Sequence, residues 1–203
     1  PQYQAVLEGL AARGLVYPCF CTRADIAREV AASASAPHAP DGSPLYPGTC
    51  RSLNETERAG RIAAGQPYAQ RLHMARALTC VPGPLTFEEE GQGIMHCDPA
   101  RFGDVVLARK DAPASYHLCV THDDALQGVT LVTRGEDLKP ATDLHRLLQA
   151  LMGWPAPRYA HHGLLMDANG RRLAKRDKAA TLRDLRASGA TPAAVIAMID
   201  ARV

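Results

Sequence analysis

Apolar positions near the start of the chain, Tyr3, Val6, Leu7 and Leu10, recur at the spacing of one helix face, and Gly14 follows as a stop. A first helix is therefore expected there, running into Leu15-Val16-Tyr17. Asn54 is placed to cap a polar helix from Glu55 to about Ala64, closed by Gly65. Tyr68 to Met74 reads as a strand. Residues 80–104, with Pro82-Gly83-Pro84, Glu88-Glu89-Glu90 and Gly91-Gln92-Gly93, read as short strands and turns. Val105 to Ala108, Ser115 to Val120 and Val129 to Thr133 are each expected to be strands, the first two separated by a turn at Asp111-Ala112-Pro113. Leu144, Leu147, Leu148 and Leu151 then form the i, i+3, i+4, i+7 stripe of a packed helix, begun by Thr142 or Asp143 and stopped by Gly153. A strand-like piece at His161 to Leu165, a turn at Asp167 to Gly170, and a last helix from Thr191 to Val203 with Pro192 in its first turn complete the order.

A buried strand followed by a packed helix argues for an α/β layer. The polar run Arg134-Gly135-Glu136-Asp137 emerges at the carboxyl end of the third of these strands, where open α/β sheets place their ligands. With 203 residues, 46% of them hydrophobic, the chain has material for one large domain or one domain carrying an insertion. No apolar run approaches the roughly 18 residues of a membrane span, and Pro1 to Gln4 lacks the pattern of a signal peptide. A cytosolic protein with no membrane partner is expected. In that compartment the six cysteines are expected to be thiols or metal ligands, not disulfides. The net charge of +2 does not by itself indicate a polyanionic partner. Its distribution is more telling, because Arg171, Arg172, Lys175, Arg176, Lys178, Arg183 and Arg186 fall close together and can hold phosphates, with Asp177 and Asp184 as counterweights.

The strongest chemical signal is Cys19-Phe20-Cys21 followed by Tyr46-Pro47-Gly48-Thr49-Cys50. Structural zinc takes four donors in a closed tetrahedron, and three thiols with one further donor meet that need. Tyr46 and His38 both qualify as the fourth. The segment between the pairs, Ala31 to Pro44, has almost nothing large to bury, so a metal clip would explain how it stays folded. The plainer alternative is that the cysteines are buried packing residues. Arg134 is the second signal, since a strand-end guanidinium can grip a carboxylate bidentately. Tyr116, read as lying on a neighbouring strand, is expected to converge with it on a small acidic ligand. The competing role for Arg134 is an ion pair with Glu136, Asp137 or Asp124. Lys175 is the third, placed to neutralise charge on a triphosphate. There is no Walker loop, no Ser-His-Asp order and no His-Glu-x-x-His, which leaves hydrolase chemistry unsupported.

Leu15-Val16-Tyr17-Pro18-Cys19-Phe20-Cys21-Thr22-Arg23, Tyr46-Pro47-Gly48-Thr49-Cys50-Arg51, Asp123-Asp124-Ala125-Leu126-Gln127-Gly128-Val129-Thr130 and Arg134-Gly135-Glu136-Asp137-Leu138 together resemble the glutamyl-Q tRNA(Asp) synthetases. That family consists of shortened paralogues of glutamyl-tRNA synthetase without an anticodon-binding domain. The resemblance implies a class I, Rossmann-like α/β catalytic domain with an inserted zinc-binding α+β subdomain and a short helical tail. Residues 1–18 would end the first half of the catalytic fold, 19–104 form the insertion, 105–160 the second half, and 161–203 the KMSKS-type loop and tail. It implies ATP, with Mg²⁺, and L-glutamate as substrates, tRNA(Asp) carrying queuosine as the acceptor, one structural Zn²⁺, and a monomer. Matched position by position, Cys19, Cys21, Tyr46 and Cys50 are its zinc ligands, Tyr116 and Arg134 bind glutamate, and Arg172, Lys175 and Arg176 meet ATP.

Ala174 stands where that family has a serine, and Arg172 where it has the first lysine of the loop. The HIGH-motif segment is expected upstream of Pro1, so this stretch alone is expected to lack half of the ATP site. Two other readings remain in view from the residues: a piece of a glutamyl-tRNA synthetase, and a zinc-stabilised module that binds RNA or protein without catalysis.

Overall fold

The expected first helix is present as α1, Gln2–Ala12, and its stripe Val6, Leu7 and Leu10 is buried. It ends because Gly14 adopts φ +67°, which lets the amides of Gly14 and Leu15 turn back to the carbonyls of Ala11 and Leu10 at 2.8 and 2.9 Å. The chain then enters β1, Val16–Cys19. The computed structural model describes residues 2–32, 38–166, 173 and 181–200. They fall into two compact units, Pro1–Val132 with Pro140–Tyr159, and Thr133–Lys139 with Ala160–Val203.

In the first unit, β1 is followed by α2, Arg23–Ala32, by a short 3-10 helix Thr49–Arg51, and by α3, Glu55–Ala63. Asn54 caps α3 as the sequence predicts, accepting from the Glu57 amide at 2.9 Å while Glu57 accepts from the Asn54 amide at 3.0 Å. Because α3 buries none of its residues, it has little tertiary packing to compensate a lost cap. Asn54→Ala should cost about 1 kcal/mol, read as a lower urea midpoint with unchanged slope. The expected strand from Tyr68 is shorter than its pattern: β2 is Ala69–Leu72, and Met74 already begins α4, Met74–Thr79. The turn-rich stretch holds β3, Thr86–Glu89, and β4, Gly93–His96, then a 3-10 helix Pro99–Phe102 and β5, Val106–Ala108.

Ser115 to Val120 is not a strand. It opens α5, Tyr116–Gln127, with Ser115 as N-cap and Gly128 at φ +68° as C-cap. Twelve residues between two cap signals make a helix, and the alternation of Tyr116, Leu118 and Val120 does not outweigh them. After β6, Leu131–Gly135, and a 3-10 stretch Glu136–Ala141 comes α6, Thr142–Met152, which buries Leu144, Leu147, Leu148 and Leu151 as expected. β7 is Arg158–His162, a few residues earlier than its apolar pattern suggests.

One sheet has the order β1-β2-β5, antiparallel throughout, with Val16 opposite Leu72 and Cys19 opposite Ala69. A second has the order β4-β3-β7-β6, in which β3 runs antiparallel to β4 and parallel to β7. The main core of the first unit joins Leu7, Leu10, Leu72, Leu107, Leu118 and the leucines of α6. Each such side chain contributes about 1.5–3 kcal/mol on burial. A smaller satellite cluster of Tyr17, Cys19, Phe20 and Cys50 lies apart from it, flanked by Cys21, Tyr46, Leu53 and Tyr68. In the second unit, α7, Leu182–Ala187, starts with a capping box between Thr181 and Asp184, and α8, Pro192–Asp200, is the expected last helix. Among the described residues no helix is long and apolar enough to cross a membrane.

Candidate metal centre and ligand-binding side chains

β1 ends at Cys19, so Cys21 emerges just past the sheet edge, while Cys50 arrives on the 3-10 helix after Gly48. The Sγ atoms of Cys19, Cys21 and Cys50 lie within 4.8 Å of one another. Cys21 Sγ is 3.4 Å from Cys50 Sγ and 3.6 Å from the Tyr46 phenol oxygen. A zinc ion with bonds of ~2.3 Å to sulfur holds tetrahedral donors roughly 3.8 Å apart, so these separations suit donors around a single ion. His38, the other candidate fourth donor, instead forms an isolated bridge with Pro44 and does not join the thiols. All six cysteines are free thiols.

Backbone groups fix the donors. The Phe20 amide donates to Cys50 Sγ at 3.3 Å, and the Cys50 amide donates to the Tyr46 oxygen at 2.8 Å. Burial pushes the Tyr46 phenol well above its usual range, reinforced by Cys19, and pushes the Cys21 thiol up to about 12. Burial would raise Cys50 as well, but hydrogen bonds from Tyr46 and the Phe20 amide outweigh it and hold that thiol below its usual value. A thiolate is the form a divalent cation binds. The guanidinium of Arg71 lies 3.9 Å from the centre of the Tyr46 ring.

Beside the thiols a cavity of about 600 Å³ opens, lined by Cys21, Thr22, Arg23, Ile26, Arg71, Arg109, Lys110 and Asp111 among others. Lys110 donates to the Phe20 carbonyl at 2.8 Å and Arg109 pairs with Asp111 at 2.6 Å. Four cations against one carboxylate make this wall positive, the character that attracts phosphate groups.

Tyr116 is the first residue of α5, not a strand residue, and is 49% exposed, with its ring centroid 5.6 Å from that of His117 and 6.1 Å from that of His145. Because Tyr116 stands on a helix, the expected pairing of Tyr116 and Arg134 on adjacent strands does not hold. Arg134 is the fourth residue of β6, and its Nε donates to His161 Nε2 at 3.0 Å. That partner lies 27 residues away along the chain and had no local signal to announce it. Lys175, Arg172 and Arg176 lie outside the described residues.

A family profile described as tRNA synthetases class I (E and Q), catalytic domain, matches residues 1–202. A protein named Glutamyl-Q tRNA(Asp) synthetase from Rhodobacter capsulatus is 49% identical over 212 residues, which cover 98% of this chain and 72% of that protein. One of the same name from Nocardia farcinica is 42% identical, covering 98% of this chain and 59% of its own length. A Glutamate--tRNA ligase 2 from Nitrosococcus oceani is 35% identical over 95% of this chain and 39% of its own. Among solved structures, a glutamate tRNA ligase from Elizabethkingia meningosepticum in complex with its amino acid superposes with a TM-score of 0.63 at 25% identity, covering 87% of this chain and 36% of that one.

Proposed function

The chain belongs to the catalytic-domain family of the class I tRNA synthetases for glutamate and glutamine, and on that premise we propose that the protein carrying it activates glutamate with ATP and transfers it to the queuosine base of tRNA(Asp). The observation that carries this reading is similarity over almost the whole chain to proteins named for that activity. In the first step a glutamate carboxylate oxygen attacks the α-phosphorus of ATP, the bond to the leaving pyrophosphate breaks, and a mixed anhydride forms. In the second a hydroxyl of the queuosine ring attacks the activated carbonyl and AMP leaves. Neither step needs a covalent enzyme intermediate, so orientation and well-placed cations supply the rate.

In this reading Arg134 grips a carboxylate of the amino acid and Tyr116 adds a directional hydrogen bond. Lys175, with Arg172 and Arg176, neutralises charge on the ATP phosphates, and Mg²⁺ accompanies ATP. Ala174 removes a hydroxyl from that loop while Arg172 keeps the charge. Cys19, Cys21, Tyr46 and Cys50 hold one zinc ion, which clamps the insertion and takes no part in either step.

The deciding experiment uses the full-length protein with tRNA(Asp) from cells that do and do not make queuosine. Glutamate is expected to be incorporated only into the modified tRNA. Glutamylation of glutamate tRNA would overturn this reading in favour of an ordinary glutamyl-tRNA synthetase. Tight tRNA binding without glutamate-dependent pyrophosphate exchange would favour a non-catalytic module. The positive cavity gives a further expected result. Arg23 is exposed on its rim, and Arg23→Glu should weaken tRNA binding alike for every sequence tested and lower the slope of log affinity against log salt by about 1. Pyrophosphate exchange without tRNA should stay unchanged.

A further inference from the structure

Asp104 is only 3% exposed, yet its carboxylate accepts three hydrogen bonds from three separate parts of the first unit. Tyr17 Oη donates at 2.6 Å, Arg51 Nη1 at 2.9 Å and the Met74 amide at 2.9 Å. Arg71 Nη1 donates to the Asp104 carbonyl at 2.7 Å. Two of these side-chain donors stand next to metal-centre residues. Tyr17 precedes Cys19 by two positions on β1, so the two share a sheet face, and both are buried. Arg51 directly follows Cys50 on the 3-10 helix. Arg71, bound to the Asp104 carbonyl, is the residue whose guanidinium lies against the Tyr46 ring.

We propose that Asp104 is a positioning residue for the metal centre: one buried carboxylate that ties the Cys19 strand to the Cys50 helix and sets the distance between their thiols. The proposal rests on the reading of Cys19, Cys21, Tyr46 and Cys50 as zinc ligands. A second feature of the fold points the same way. Gly48, at φ +94°, precedes the Cys50 helix, and a Cβ placed there would come within 2.8 Å of Arg51 Nη2. The missing side chain at Gly48 is thus what leaves room for the Arg51 guanidinium to lie back toward Asp104. The Arg51 side chain is 44% exposed, and without that anchor it has no reason to hold one rotamer. Asp104 itself is held firmly, since it follows the 3-10 helix Pro99–Phe102 and precedes β5, with the neighbouring Val105 carbonyl accepting from the Leu72 amide at 2.9 Å. It touches none of the thiols. Its effect reaches them through Tyr17 and Arg51, as outer partners of metal ligands commonly act.

The test uses the full-length protein and follows zinc release to a chromogenic chelator. Asp104→Asn and Arg51→Gln should each release zinc at least about tenfold faster than the parent, and Arg51→Lys should restore most of the loss. The double variant should be no faster than the worse single one, because both remove the same tie. Cobalt-substituted Arg51→Gln should show altered d–d bands. A core substitution far from the centre, Leu147→Val, matched in urea stability, should leave release unchanged, which separates positioning from general destabilisation. Should Asp104→Asn fail to fold, Arg51→Gln decides, because its side chain is half in solvent. Parent-like release from Arg51→Gln in a protein that holds one zinc would overturn this proposal alone. A parent protein that binds no zinc would overturn the ligand assignment and this proposal with it.

Discussion

Cys50→Ala is expected to reduce zinc from one ion per chain to none and to unfold the part of the insertion around residues 19–53. Cys50 is 2% exposed in a satellite cluster of four buried residues, Tyr17, Cys19, Phe20 and Cys50. Removing its sulfur takes away one of the three clustered thiols, and it also strands the Phe20 amide, whose hydrogen bond ends on that atom. The stretch between the ligand pairs has little apolar surface with which to compensate: α2 buries only Val30. Where a site's ligands meet only in the folded chain, binding free energy is folding free energy, and for small zinc modules it amounts to roughly 10 kcal/mol or more. Here the main core is a cluster separate from the thiol centre, so a loss of several kcal/mol confined to residues 19–53 is the scale to expect, about that of a broken buried network. Metal analysis of the purified variant checks the first part, and hydrogen exchange over residues 19–53 with and without chelator checks the second. Chelator should loosen this segment in the parent and do nothing further to Cys50→Ala. Unchanged zinc in the variant would remove Cys50 from the ligand set.

What could be read in the sequence divides by distance along the chain. The leucine stripe of α6 and the Asn54 cap were legible because their causes lie within one or two helical turns. The convergence of the three thiols was legible for a related reason: Cys19 and Cys21 are near neighbours, and Cys50 follows the turn signal Pro47-Gly48. α5 does not announce itself as a helix because it buries only Leu118 and Thr121 and has no leucine stripe, so the alternation of Tyr116, Leu118 and Val120 is the louder local signal. Its helical markers are the caps, Ser115 before it and Gly128 after it. α2 has no apolar stripe, since it buries only Val30, and so gives no periodic signal. Its start is nonetheless written in Thr22 and Asp25, whose side chains reciprocally accept from each other's amides at 3.1 and 2.8 Å. Asp104 had no local signal at all. Its partners at positions 17, 51, 71 and 74 reach it only once β1, β2 and β5 have paired, so its role is a property of the sheet and not of any motif.

Arg134→Lys is expected to lower kcat/KM for glutamate about 100-fold in pyrophosphate exchange by the full-length protein, equivalent to ~2.7 kcal/mol of transition-state stabilisation. Charge alone would predict a small effect, since lysine keeps it. The geometry predicts a large one. Arg134 Nε is committed to His161 Nε2 at 3.0 Å, a bond in which that imidazole nitrogen accepts, so the histidine fixes the plane of the guanidinium within β6 and β7. A guanidinium can meet a carboxylate with two parallel donors, whereas an ammonium on a flexible stem offers one point charge with more rotamers to lose. Most of the loss should therefore appear as a raised KM for glutamate with KM for ATP unchanged. His161→Leu tests the anchoring separately: it leaves the charge and the fork in place but removes the acceptor, and about a tenfold loss, smaller than that of Arg134→Lys, is expected because only orientation is relaxed. An Arg134→Lys protein with parental KM for glutamate would take Arg134 out of the amino-acid site, and an unaltered His161→Leu would show that the guanidinium is oriented by other contacts.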